Sequence, residues 1–132
     1  MSKLADGAKD LLNRPLHAWV TTVRPDGSLQ STVVWVTVDG DDVLFNTAVG
    51  RAKEKNLRAD PRVSISVLDP EDRYHFVSVS GNGVLELDGA DEVIDRLAKK
   101  YLGKDSYPFR QEGEQRVTVR VTPEHVIYSP GG

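Results

Sequence analysis

Cysteine is absent from the 132-residue chain, which removes a thiol nucleophile, a thiolate-held metal or iron–sulfur centre and any disulfide framework. Histidine is sparse. His17, His75 and His125 stand far apart with no H-E-x-x-H spacing, so zinc hydrolysis lacks a ligand set and no metal site is expected. Each of the three reads as an ordinary strand or surface residue. No serine lies in a G-x-S-x-G context, which leaves a Ser-His-Asp hydrolase unsupported. The Gly81-Asn82-Gly83 cluster sits inside a strand pattern and lacks the third glycine of a dinucleotide fingerprint. Long apolar runs are also missing. Residues 1–13 carry Lys3, Asp6, Lys9 and Asp10, so neither a signal-peptide core nor a membrane span is expected, and the expected location is cytoplasmic. Seventeen basic against twenty acidic residues give a net charge of −3, which offers no general attraction to a phosphate polymer and sets nucleic acid aside as a partner.

What is present reads as one domain over residues 1–132, long enough to bury a core without staples. Residues 17–24 and 29–38 read as a hairpin around Pro25-Asp26-Gly27, and 43–47 as a third antiparallel strand. Residues 51–58 are helix formers stopped by Asp60-Pro61. A strand follows over 62–68, then a polar loop over 69–73. The long strand at 74–87 has a bend expected at Gly81 and Gly83, as at a barrel corner. Val93, Ile94, Leu97, Ala98 and Tyr101 fall on one stripe of a helix over 91–102. Residues 104–113 are irregular, and 116–121 and 125–128 close the fold as strands. Six or seven strands with two or three short helices imply a mainly β, α+β barrel.

Two segments suggest chemistry. In the 31–38 strand, Val33 and Trp35 point one way while Val34, Val36 and Val38 point the other, so both faces need cover. One of the chain's own helices, a second subunit or a flat ligand can supply it. At the 51–58 helix start, Arg51, Lys53, Lys55 and Arg58 stand against Glu54 alone, four positives against one negative, for a local +3 in an acidic chain. A helix start of this kind preceded by Gly50 suits a small anion, with Arg51 offering a fork and Lys53 a point charge. A solvated charged face is the competing reading.

The run from Gly50 to Ser64, with the Pro25-Asp26-Gly27 hairpin and Ser31-Thr32-Val33-Val34-Trp35 before it, resembles the pyridoxamine 5′-phosphate oxidase-like split β-barrel family. It is most similar to the small actinobacterial members that use the deazaflavin coenzyme F420. The resemblance extends over about residues 12–128. It implies a homodimeric split barrel with cofactor in grooves between subunits. Thr32, Val33, Val34 and Trp35 match the segment lining the ring and its linker. Asn46 and Thr47 match the polar strand end near the ribityl or phosphate, and Arg51 and Lys53 match the phosphate-binding pair. Lys55 is a further addition toward an oligoglutamate tail. Tyr74 and Phe76 fall where relatives carry aromatics near cofactor or dimer seam, and Tyr107, Phe109 and Arg110 are expected to reach across from the second subunit. The C-terminal Glu124–Pro130 stretch lacks the Trp and Arg-x-His features that hold pyridoxal phosphate, so vitamin B6 oxidation is not implied.

The expected function is therefore hydride transfer from reduced F420 to a conjugated small-molecule acceptor, an enone, quinone or tetrapyrrole-like compound. No side chain need act as a catalytic nucleophile, and the acceptor's proton comes from solvent or a hydroxyl such as that of Tyr74. The alternatives are an FMN-binding flavin reductase or oxidase and a non-catalytic carrier or sensor of the cofactor.

Overall fold

The computed structural model describes residues 3–132. In chain order the elements are α1 (Asp6–Asn13), β1 (Ala18–Val23), β2 (Leu29–Val34), β3 (Val36–Asp39), β4 (Asp42–Ala48), α2 (Ala52–Ala59), β5 (Arg62–Asp69), β6 (Asp72–Glu86), α3 (Ala90–Leu102), β7 (Arg116–Val121) and β8 (His125–Pro130). The strands form one antiparallel sheet in the order β2-β1-β5-β6-β7-β4-β3, with β8 also on β6. The two ends of that order, β2 and β3, are consecutive in the chain with Trp35 alone between them. The sheet therefore curls back on itself into a split barrel, as expected from the sequence.

The long strand β6 makes the corner. Its first part pairs with β5 as far as Asn82 and with β8, and from Gly83 it pairs with β7. A Cβ at Gly81 would stand 2.6 Å from the Thr122 carbonyl oxygen, and one at Gly83 2.9 Å from Val119 Cγ1. Close approach of neighbouring chain, rather than an unusual φ, explains both glycines. Inside the curl, alternate residues of the strands meet: Val20, Val36, Phe45, Ile65, Val77, Val79, Val119 and Val121 are all buried. Helix α1 closes one end with Ala8, Leu11 and Leu12. Burying side chains of this size stabilises each by roughly 1.5–3 kcal/mol before the entropy of ordering is subtracted.

Four details differ from the sequence reading. The expected strand over 29–38 is two strands, which raises the count to eight. The break is held from outside: the Val36 N–H donates to the Tyr101 hydroxyl at 3.1 Å, and the Val36 carbonyl accepts from Lys100 Nζ at 2.5 Å. The expected loop over 69–73 is a tight hairpin turn, because Asp69 accepts from the Glu71 N–H at 3.0 Å and β6 starts at Asp72. The third helix is α1, in a stretch read only for targeting signals. Finally, His75 belongs to a partly buried network, with Nδ1 at 3.0 Å from Asp69 and Nε2 at 3.2 Å from the Tyr128 hydroxyl.

Candidate functional site

The site is built where β4 hands over to α2. Strand β4 pairs with β7 up to Ala48 opposite Arg116. Gly50 follows with φ 93°, a left-handed conformation that glycine adopts without strain. Its N–H donates to Glu54 Oε1 at 2.7 Å, so the third residue of α2 reaches back to fix the turn before it, much as in a capping box. Burial leaves Glu54 little water, yet the Gly50 N–H and then the Arg58 guanidinium hold its carboxyl below the usual range. Asn56, also buried, donates to Thr22 and Gln30 on β1 and β2 at 3.1 and 3.0 Å. These ties set the start of α2 against the β2 strand.

A cleft of about 210 Å³ opens there, lined by His17, Val33, Val34, Trp35, Asn46, Thr47, Arg51, Lys53, Ile94, Leu97, Tyr107, Phe109 and Arg116. One end is cationic. Lys53 Nζ donates to Thr32 Oγ1 at 3.1 Å, and burial, then Arg51 and Arg116, push its pKa down. Three cations thus converge beside the first N–H groups of a helix, groups that have no partner within the helix. This donor set fits an anion. The cleft also has an apolar and aromatic wall: Trp35 stacks on Tyr101 with ring centroids 5.3 Å apart and meets Tyr107 edge-on at 6.2 Å. A planar ring fits that wall.

Of the residues singled out in the sequence, Val33, Val34, Trp35, Asn46, Thr47, Arg51 and Lys53 line this cleft, and Thr32 touches it through Lys53. Asn46 is committed to the protein: Nδ2 donates to the Ala90 carbonyl at 2.9 Å and Oδ1 accepts from Arg116 Nε at 2.8 Å. Its role here is to orient Arg116. Lys55 is exposed on α2 outside the cleft. Tyr74 is 68% exposed on the outer face of β6, away from the cleft, so Tyr107 is the phenol that lines it. Tyr107 and Phe109 line the cleft of their own chain. Arg110 is held by its own chain, at 2.7 Å from Asp91 and 2.8 Å from Asp95.

Arg116 was not foreseen. It is buried, pairs with Glu114 at 2.9 Å and lies 5.1 Å from the Tyr107 ring centroid. Nothing in the local pattern of β7 marks it, since the side chain that orients it, Asn46 on β4, is distant in sequence. His17, Ile94 and Leu97 were likewise missed as cleft residues.

Among solved structures, a protein described as an F420 reductase is 30% identical over 94% of this chain and 98% of its own, with a TM-score of 0.81. A conserved hypothetical protein from Mycobacterium tuberculosis is 23% identical over 98% of this chain and 90% of its own, with a TM-score of 0.75. HupZ of Group A Streptococcus is 18% identical, covering 98% of each chain, with a TM-score of 0.71. The last two share the fold. A model of the pyridoxamine 5′-phosphate oxidase family matches residues 4–129, and with the curled sheet and the cleft on its seam, the chain belongs to that family.

Proposed function

We propose that this chain is an oxidoreductase that binds coenzyme F420 and passes a hydride to a conjugated small-molecule acceptor. The observation that carries the reading is a cleft that brings Arg51, Lys53 and Arg116 together with Val33, Val34 and Trp35. The similarity to a protein described as an F420 reductase supports the choice of deazaflavin. The reduced deazaflavin, when bound, supplies the hydride. The protein's part is positional: Arg51 and Lys53 hold the phosphate, Thr32 orients Lys53, and Trp35, braced by Tyr101, fixes the plane of the ring. Ile94 and Leu97 keep the apolar wall dry. The proton that completes reduction of the acceptor comes from solvent.

The same cleft supports FMN as a second reading, because a flavin phosphate has the same needs and the family model is that of pyridoxamine 5′-phosphate oxidase. Titration of the purified protein with each cofactor separates the readings. Tighter binding of F420 supports the first; tighter binding of FMN overturns it.

The functional unit we propose is a cytoplasmic homodimer. Among the described residues no helix is long and apolar enough to cross a membrane. The outer face of β2, β1, β5, β6 and β8 carries Trp19 opposite Val33 at one side and Leu68 and Ile127 toward the other, all exposed. Between them lie small hydroxyl pairs, Thr21 with Ser31 at 2.7 Å and Ser66 with Ser78 at 3.0 Å. Helix α3 covers Trp35 through Tyr101 but leaves Val33 45% exposed. Val33 belongs to this face and to the cleft, so a second copy seated on the face would border the cofactor.

A further inference from the structure

The arginines at the cationic end of the cleft are backed by an anion that does not itself line it. The Glu114 side chain is 6% exposed, with Oε2 at 3.0 Å from Arg51 and Oε1 at 2.9 Å from Arg116. The carboxylate bridges the two guanidinium groups on a segment otherwise without helix or strand. Arg116 is fixed independently of Glu114, since Asn46 accepts from its Nε. Arg116 thus keeps one anchor when Glu114 is changed, and the charge of Glu114 acts on the field of the site. Arg51, Lys53 and Arg116 meet Glu114 there, while Glu54 at the same turn is offset by Arg58, leaving the end of the cleft positive but less so than its three cations alone.

We propose that Glu114 is a built-in counter-anion that sets how strongly this site rewards charge on the ligand's phosphate, and so determines selectivity between phosphate types. This rests on the reading of the cleft as a cofactor-phosphate site. In a positive field a ligand gains in proportion to its charge. A phosphate monoester, as in FMN, carries nearly two negative charges at neutral pH, because its second ionisation lies near pH 6. The phosphodiester of F420 carries one, and the carboxylates of its tail lie beyond the phosphate, where the field of this end is weaker. A fixed negative charge lowers the field and takes about twice as much from the monoester as from the diester. Glu114 thereby narrows the advantage that three bare cations would give to FMN.

The test is equilibrium binding of F420 and FMN to the full chain and to Glu114→Gln, with riboflavin and the dephosphorylated deazaflavin as phosphate-free probes. Removal of one charge is expected to tighten F420 about threefold and FMN about tenfold, the larger factor being the square of the smaller. The phosphate-free probes should not respond. Glu114→Asp, which keeps a charge for Arg116 but withdraws it from Arg51, should move both affinities the same way by less, and it replaces the Gln variant if that chain does not fold. Equal factors for the two cofactors, or no change in either, overturn the proposal. Lys53→Ala distinguishes the two levels: if it weakens both phosphorylated ligands while the Glu114 variants change nothing, the phosphate site stands and the role of Glu114 falls. If Lys53→Ala has no effect either, the site reading falls and the role of Glu114 with it.

Discussion

Lys53 Nζ lies 3.1 Å from the Thr32 hydroxyl, which joins the first turn of α2 to the strand that leads into Trp35. This contact couples the anion end of the cleft to its ring-binding wall. Lys53→Ala is expected to weaken cofactor binding by roughly 1.5–3 kcal/mol through loss of a charge-assisted contact. Thr32→Val should cost less, since it leaves the charge and removes only its orientation. Lys55→Ala, on the exposed side of the same helix, should change affinity by less than about twofold. Fluorescence titration of the three variants checks the ranking, and a Lys55 effect equal to that of Lys53 would move the phosphate to the outer face of α2.

The dimer proposal makes its own demand on the outer sheet face. Trp19 is 57% exposed and stands opposite Val33 across β1 and β2. Trp19→Arg with Val33→Arg places two charges where a second copy would bury them, a cost too large for an interface to absorb. Light scattering after size exclusion should show a dimer for the parent chain and a folded monomer for the double variant. A monomeric parent would refute the assembly.

The barrel was legible in the sequence because strand alternation, Gly-marked turns and the stop at Asp60-Pro61 are local signals. So was the cationic start of α2, where the charges are neighbours in the chain. The break at Trp35 was not, because its causes, Tyr101 and Lys100, are more than sixty residues away. Arg116 and Glu114 escaped for the same reason: they meet Asn46 and Arg51 across the β4–β7 pair. Helix α1 was hidden by its brevity, since an eight-residue helix owes its stability to packing rather than propensity.

Lys100 links two backbone carbonyls, donating to Leu12 at the end of α1 at 2.8 Å and to Val36 at the strand break. Burial lowers its pKa from 10.5 to about 8. Below about pH 8 the folded chain carries a charge it disfavours. Between there and 10.5 the unfolded chain binds more protons than the folded one, so this group adds stability as pH rises through the window. Urea denaturation at several pH values should show the parent gaining on Lys100→Met from about pH 8 upward, with the comparison stopped short of pH 10, where Tyr101 begins to matter. Parallel curves would show that the buried charge costs nothing.

Asp69 also has a lowered pKa, but because its surroundings favour the charged form rather than penalise it. The hydrogen bond from His75, then the Glu71 N–H and Arg14, hold its carboxyl down at about 2 against the ordinary 3.8. Its contribution is fully present above 3.8 and is lost as pH falls toward 2. Asp69→Asn should therefore be less stable than the parent at neutral pH, with the difference shrinking in the acid limb. A difference that stays constant to pH 2 would mean that the network senses shape rather than charge.

Gly7 on α1 sets two effects of opposite sign against each other. Replacing a helical glycine with alanine normally stabilises by about 0.8–1 kcal/mol. Here a Cβ would overlap the Tyr128 hydroxyl and stand 3.0 Å from the ring carbon that bears it. That hydroxyl is 3.2 Å from His75 Nε2, so it cannot yield without breaking the network that includes Asp69. Overpacking of this kind costs typically 1–3 kcal/mol, and the loss of the His75 contact adds to it. Gly7→Ala should accordingly be net destabilising by roughly 1–2 kcal/mol, against the helix-propensity expectation. Tyr128→Phe removes the overlapping oxygen, so the alanine should be better tolerated in the double variant than in the parent, giving a favourable coupling in a double-mutant cycle. Additive effects in urea denaturation would show that α1 shifts to relieve the overlap and that its seat on Tyr128 is not rigid.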